Sequence, residues 1–350
     1  MNAFCCFHRA LRNAPQHGDV EKSLNPSVLC ERLEPRRLFA AAGTLPRPDH
    51  VVVVVEENQD YHDILGAGAT PTSLWSVIPP SQLALAPYIR KLSNQGASLT
   101  GMFAETHPSQ PNYLALFSGS SQGVSGDTPP AAQFTAPSLG GQLLAKGLSF
   151  AGYSEDQPSA GFLGMKSGEY ARKHNPWSDF TDVPASSNLP FSSFPAGDFT
   201  KLPTVSFVVP NQIHDMHSGS VRAADNWLKA KLGAYVSWAP SHNSLLIITW
   251  DEGRSGNHIA TIVLGAHVRK GKFALPSDHY RVLRTLENIY GLPPLGNATN
   301  RAPLYKVFRA PLASAAVMAV AAGAASSSAS SCFSEQPVSA SAWDRLDGAL

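Results

Sequence analysis

The chain has 350 residues, of which 15% are charged and 43% hydrophobic, and its formal net charge is +1. That balance excludes a largely disordered chain, and no Lys/Arg stripe with interleaved aromatics offers a nucleic-acid footprint. No apolar run reaches the length of a transmembrane helix, so stable membrane insertion is not expected; the nearest approach is APLASAAVMAVAAGAA at 310–325.

Residues 1–44 read as a leader outside the fold. Within them, ERLEPRRLFAAAG resembles a short bacterial N-terminal motif of LEPRxLL type, which tends to precede extracellular or surface-layer domains, and export is the expectation. Residues 45–309 form the predicted globular domain, and 310–350 turn into an Ala/Ser-rich flexible tail. The four cysteines, Cys5, Cys6, Cys30 and Cys332, all fall outside 45–309, so the central domain has no disulfide and no cysteine metal site.

The domain alternates strand and helix signals. Val51–Val55 predicts a strand, Pro87–Gly96 a helix with a glycine stop, and Pro111–Ser118 another helix. Ser138–Lys146 predicts a third helix, then Ser149–Tyr153 a strand. Thr204–Val209 and Leu245–Trp250 predict buried strands, Ile259–Leu264 a further strand, and Arg281–Tyr290 an amphipathic helix ending at Gly291. Unbroken Val, Ile and Leu runs imply a strand covered on both faces. The expected fold is therefore α/β, with a mostly parallel central sheet flanked by helices on both faces.

Ligands of such a sheet bind beyond the carboxyl ends of its strands. There the sequence places Glu56, Glu57 and Asn58 after the first strand, Asp251 and Glu252 after Leu245–Trp250, and His214, Asp215 and His217 after Thr204–Val209. Clustered carboxylates repel one another unless a cation sits between them, and a hard divalent ion suits carboxylate and amide oxygens. Acids after strands also cap following helices, and both readings stand at this point. Glu56 points to the opposite side of an extended chain from Glu57 and is expected to be a supporting or structural residue.

In HPSQPNYLALFSG, Ser109 precedes Pro111, which is favoured in a first helical turn. Ser109 is then either an N-cap or a nucleophile at a helix start, where free N–H groups receive an anion. Asn112, three residues on, is a candidate for a phosphoryl oxygen. Among the histidines, His174, His214, His217, His258 and His279 are candidates for proton transfer or phosphate binding. His62, His242 and His267 are expected to be ordinary polar residues.

Taken together, VVVVEEN, HPSQPNYLALFSG, KHNPW, FVVPNQIHDMH, ITWDEG, NHIATIVLG and DHYRVLRTLENIYGLPPLG resemble the phosphoesterase family of bacterial phospholipase C and acid phosphatase type, in the alkaline phosphatase superfamily, over about residues 49–308. The resemblance implies an alkaline-phosphatase-like domain and a metal-dependent phosphoesterase with a phosphoserine intermediate. It implies one divalent metal ion (Mg, Ca, Mn, Fe or Zn) on Glu57, Asn58, Asp251 and Glu252. Ser109 takes the nucleophile position, with His258 or His214 as further catalytic groups and Asn112, His174, His217 and His279 toward the substrate. Some members carry two aspartates where Asp251 and Glu252 stand.

A small phosphate ester is the expected substrate, since only an Ala/Ser tail follows the core. A phospholipase C-type phosphodiesterase is the alternative, and a surface-attached binding protein without chemistry is another. A sulfatase is disfavoured because Tyr113 replaces the arginine of (C/S)-x-P-x-R. Oligomeric state has no signal in the sequence. Loops at Gly66–Pro80 and Pro158–Pro195 are expected to wall the site.

Overall fold

The computed structural model describes residues 45–66 and 85–309. The leader, the Ala/Ser tail and residues 67–80 of the first wall loop lie outside the described residues.

In chain order the strands are β1 (His50–Glu56), β2 (Ala97–Leu99), β3 (Phe150–Ser154), β4 (Lys166–Ser167), β5 (Tyr170–Ala171), β6 (Asn188–Pro190), β7 (Val205–Val209), β8 (Ser244–Trp250), β9 (Thr261–Gly265) and β10 (Gly271–Phe273). The α-helices are α1 (Tyr61–Leu65), α2 (Pro87–Gln95), α3 (Ser109–Ser118), α4 (Leu139–Ala145), α5 (Val221–Trp238) and α6 (His279–Tyr290). Eight strands form one sheet in the order β10-β2-β9-β8-β1-β7-β3-β6, and β4 pairs with β5 in a small hairpin.

The centre of the sheet is β1. Its five valines are β-branched, suit the pleated backbone and are all buried. At roughly 2 kcal/mol per buried valine, this anchor offsets the cost of holding carboxylates at the strand's end. Parallel pairing aligns Val53 with Phe207 of β7 and with Ile247 of β8, so all three strands end on the same edge. One strand departs from the parallel arrangement: β9 runs antiparallel to β8. The helices form two groups that cover the sheet, α1 with α2 and α5, and α3 with α4 and α6.

Helix α5 was not among the predicted elements, although its signals are ordinary. Ser220 caps it by accepting from the Ala223 N–H, and Ala224, Leu228, Leu232 and Tyr235 make a buried stripe at helical spacing. Helix α3 is buried along its whole length. It stops at Gly119, whose φ of 72° is left-handed, and a Cβ there would lie 2.2 Å from the Leu295 carbonyl oxygen. Only glycine fits that stop.

Candidate active site

Two backbone hydrogen bonds draw the strand ends together. The Asp251 N–H donates to the Glu56 carbonyl (2.9 Å) and the Glu57 N–H donates to the Asp215 carbonyl (2.7 Å). Segments following β1, β7 and β8 thus meet at one point. Asn58 leaves β1 with φ 35°, a left-handed conformation that asparagine tolerates.

Ser109 is the first residue of α3 and is almost fully buried. Its Oγ sits between two carboxylates, 3.1 Å from Glu57 Oε2 and 3.2 Å from Glu252 Oε1. Asn58 binds the second acid pair, its Nδ2 donating to Glu252 Oε1 (3.1 Å) and its N–H to Asp251 Oδ1 (3.2 Å). The other Glu57 oxygen accepts from the Tyr113 hydroxyl at 2.5 Å and faces His174 Nε2 at 3.1 Å. His174 Nδ1 lies 3.5 Å from Asp215 Oδ2.

The carboxyls of Glu57, Asp215 and Asp251 are all held well above the usual carboxylate range. Burial is the main cause for each; the Asp215 charge adds to it at Glu57, and the Glu57 charge at Asp251. Burial, with Lys173 nearby, holds His174 well below its ordinary value. Such a set is poised for a cation, which would stabilise ionised carboxylates and a neutral imidazole. The unmet hydrogen-bonding capacity fits that reading. His174 Nε2, Asp215 Oδ2, Asp251 Oδ2 and Asn58 Oδ1 are buried without hydrogen-bond partners. Glu57, His174 and Asp215 each offer one ligand atom, all within 4.8 Å of one another, and could hold a metal ion.

The phosphoesterase family profile matches residues 82–293. A relative from Mycobacterium tuberculosis, named phosphatidylinositol-3-phosphatase, is 46% identical over 271 residues, covering 77% of this chain and 85% of that protein. The chain belongs to the phosphoesterase family. It is a hydrolase acting on phosphoric ester bonds. A phosphate-repressible acid phosphatase of Penicillium chrysogenum is 31% identical over 245 residues, 64% of this chain and 59% of that protein, so the chain spans about three fifths of the fungal enzyme. Among solved structures, an alkaline phosphatase superfamily protein from Vibrio parahaemolyticus superimposes with a TM-score of 0.50 at 13% identity, over 75% of this chain and 72% of that one. The lipoteichoic acid synthase LtaP from Listeria monocytogenes gives 0.51 at 11% identity, over 72% and 74%. These two likenesses establish the alkaline-phosphatase-like α/β fold.

Of the predicted site residues, Ser109, Glu57, Asn58, Asp251, Glu252 and His174 form one cluster. His174 stands among the potential metal ligands rather than on an open substrate face. His217 borders the cluster: its ring centroid is 6.1 Å from that of His174, and its N–H donates to Asp215 Oδ1 (2.7 Å).

Four predicted residues are engaged elsewhere. Asn112 is fully buried, and its side chain clasps the preceding loop: Oδ1 accepts from the Glu105 and Thr106 N–H groups, and Nδ2 donates to the Thr106 and Pro108 carbonyls. Its amide has no free face for a phosphoryl oxygen. His214 binds Glu155 (2.8 Å) and stacks on Trp227. His258 is sandwiched between Tyr61 and Phe103, with Nε2 on the Thr100 carbonyl. It lines a cavity of about 910 Å³ with Phe103, Glu105, Tyr280 and Arg301; Ser109 is not among the lining residues. His279 is buried between Glu105 and the Trp250 carbonyl. Burial alone would lower its pKa, but the Glu105 carboxylate and the Trp250 carbonyl outweigh that and raise it. His279 there braces the end of β8, one residue before Asp251.

Sequence reasoning passed over His107, Tyr113, Lys173 and Asp127. His107 Nδ1 lies 2.5 Å from Glu252 Oε2, and about half of its side chain is exposed. A signal existed for two of them: His107 stands two residues before Ser109, and Tyr113 follows Ser109 by one helical turn on the same face. Glu56 is fully buried with Asp225 and Glu155 as charged neighbours; both of its carboxylate oxygens lack hydrogen-bond partners, and its charge is felt at Asp215.

Proposed function

We propose that this chain is a metal-dependent, acid-phosphatase-like phosphomonoesterase that works through a phosphoserine at Ser109. The observation that carries the reading is the placement of the Ser109 hydroxyl at a helix start between the Glu57 and Glu252 carboxylates, 3.1 and 3.2 Å away. A divalent cation held by Glu57, His174 and Asp215, with Asn58 and Asp251 at hand, would lower the pKa of the serine hydroxyl and neutralise the acids.

In the first half-reaction Ser109 Oγ gives its proton to a flanking carboxylate and bonds to phosphorus as the ester P–O bond breaks. The departing alkoxide takes a proton from His107, which is exposed toward solvent and oriented by Glu252. Water then gives a proton to His107 as its oxygen bonds to phosphorus, and Ser109 Oγ leaves with the proton returned from the flanking carboxylate, freeing phosphate. The Glu57–Tyr113 hydrogen bond keeps the carboxylate aimed at Ser109.

Monoester specificity is supported by the relatives, which are named phosphatases. The leader motif supports export, and the described residues contain no helix long and apolar enough to cross a membrane. The test is hydrolysis of p-nitrophenyl phosphate, bis-p-nitrophenyl phosphate and a choline phospholipid by the purified protein with Mg, Ca, Mn, Fe or Zn. Release from the monoester, abolished in Ser109→Ala, supports the reading. Preference for either diester sinks the monoesterase assignment in favour of a phosphodiesterase.

A further inference from the structure

A carboxylate already occupies the helix start beside Ser109. The Gln110 N–H, the second of helix α3, donates to Asp127 Oδ1 at 3.1 Å. The other Asp127 oxygen accepts from Lys173 Nζ at 2.8 Å. Asp127 belongs to the loop between α3 and α4, and about a third of its side chain is exposed. Lys173 is mostly buried and is carried on the short 3₁₀ turn Arg172–His174. That turn is pinned by Arg172, whose guanidinium binds Asp179 Oδ1 at 2.7 and 3.1 Å. The same turn delivers His174, whose buried Nε2 has no hydrogen-bond partner.

Lys173 is electrostatically coupled to Glu57 and Asp251, and the Asp127 charge is felt at Glu252. The pair therefore lies within the field of the acid cluster. A phosphomonoester dianion brought to Ser109 meets several carboxylates and needs fixed positive partners. The helix-start N–H and a lysine ammonium are such partners, and both are bound to the Asp127 carboxylate.

Resting on the phosphatase reading above, we propose that Lys173 and the Gln110 N–H form the cradle for the transferred phosphoryl group, and that Asp127 is a built-in competitor displaced when the substrate's phosphoryl oxygen binds. Asp127 thereby sets substrate affinity. It also excludes weakly binding anions, because only a ligand that replaces both of its bonds compensates for removing it.

The experiment measures inorganic phosphate binding by calorimetry to the full chain carrying Ser109→Ala, and phosphate inhibition and KM for p-nitrophenyl phosphate in the otherwise wild-type chain. Asp127→Asn is expected to tighten phosphate and lower KM by roughly three- to tenfold, the value of a part-exposed ion pair. Lys173→Met is expected to weaken phosphate tenfold or more, and Lys173→Arg to restore most of it. The urea midpoint of each variant verifies folding. If folded Asp127→Asn binds phosphate as wild type does or more weakly, or if Lys173→Met leaves phosphate affinity within twofold, the pair is only a tether for its loop and the proposal fails. A variant that does not fold leaves the other to decide. Phosphate binding that follows the expected order in a wild-type chain without turnover overturns the phosphatase reading and leaves the cradle standing.

Discussion

Replacing Asn112 separates two roles that sequence reasoning could not. Its side chain makes four hydrogen bonds to the loop before Ser109, at 3.1 and 3.0 Å as acceptor and 2.9 and 3.2 Å as donor. Each is worth roughly 1 kcal/mol net. Thr106 is exposed and can turn to water when its partner is lost, which lowers the total. Asn112→Ala is therefore expected to cost about 2–4 kcal/mol, including a small cavity. Asn112→Asp keeps the two acceptor bonds but sets a buried carboxylate oxygen against the Thr106 and Pro108 carbonyls, and should cost at least as much. Urea unfolding at one pH gives both values, and p-nitrophenyl phosphate kinetics on the folded variants gives the other half of the comparison. Loop misplacement lowers kcat through Ser109 and His107, with the loss following the stability order. A phosphate-binding asparagine would instead raise KM with the urea midpoint unchanged. That result would refute the clasp.

Three further outcomes follow from the geometry. Elemental analysis of the folded protein should show bound divalent metal that is lost in Glu57→Gln and Asp215→Asn but kept in Glu56→Gln; loss from the Glu56 variant alone would reverse the assignment of the two glutamates. Glu287 is fully buried, and burial pushes its carboxyl from 4.5 to about 7, only partly offset by the Leu295 N–H and Arg284. Because the folded state holds this proton more tightly than the unfolded chain, its contribution is full below pH 4.5 and fades as pH rises to about 7. At roughly 1.4 kcal/mol per decade this amounts to at most about 3 kcal/mol, and Glu287→Gln should remove that slope from urea midpoints at pH 5 and pH 8; an identical slope in the variant would contradict it. His107→Gln should lower kcat for p-nitrophenyl phosphate less than for an alkyl phosphate, whose poorer leaving group needs the proton, and equal losses on both substrates would remove His107 from that role.

The central strands and the acids at their ends were legible because both signals are local. A run of buried valines followed by Glu57 and Asn58, and Leu245–Trp250 followed by Asp251 and Glu252, need only the rule that a parallel sheet presents its carboxyl edge. Ser109 at a helix start was legible from Pro111. Histidine assignments were not, because they depend on long excursions. His174 reaches the cluster from the segment between β3 and β7, by way of a turn that Arg172 and Asp179 hold in place. His258 and His214 stand at strand ends in sequence, yet aromatic neighbours and Glu155 take them. Asn112 misled for a related reason: helical spacing places it near Ser109, but the loop before Ser109 folds back over the helix start and takes its amide. The Lys173–Asp127 pair joins residues 46 positions apart, and no local pattern announces it.

The most direct test of the account is to quench the enzyme in acid during turnover of p-nitrophenyl phosphate and map the modified peptide by mass spectrometry. The account predicts one phosphoryl group on Ser109, absent in Ser109→Ala together with the activity. Turnover that continues in Ser109→Ala, or steady turnover with a phosphoryl group on another residue, would contradict it.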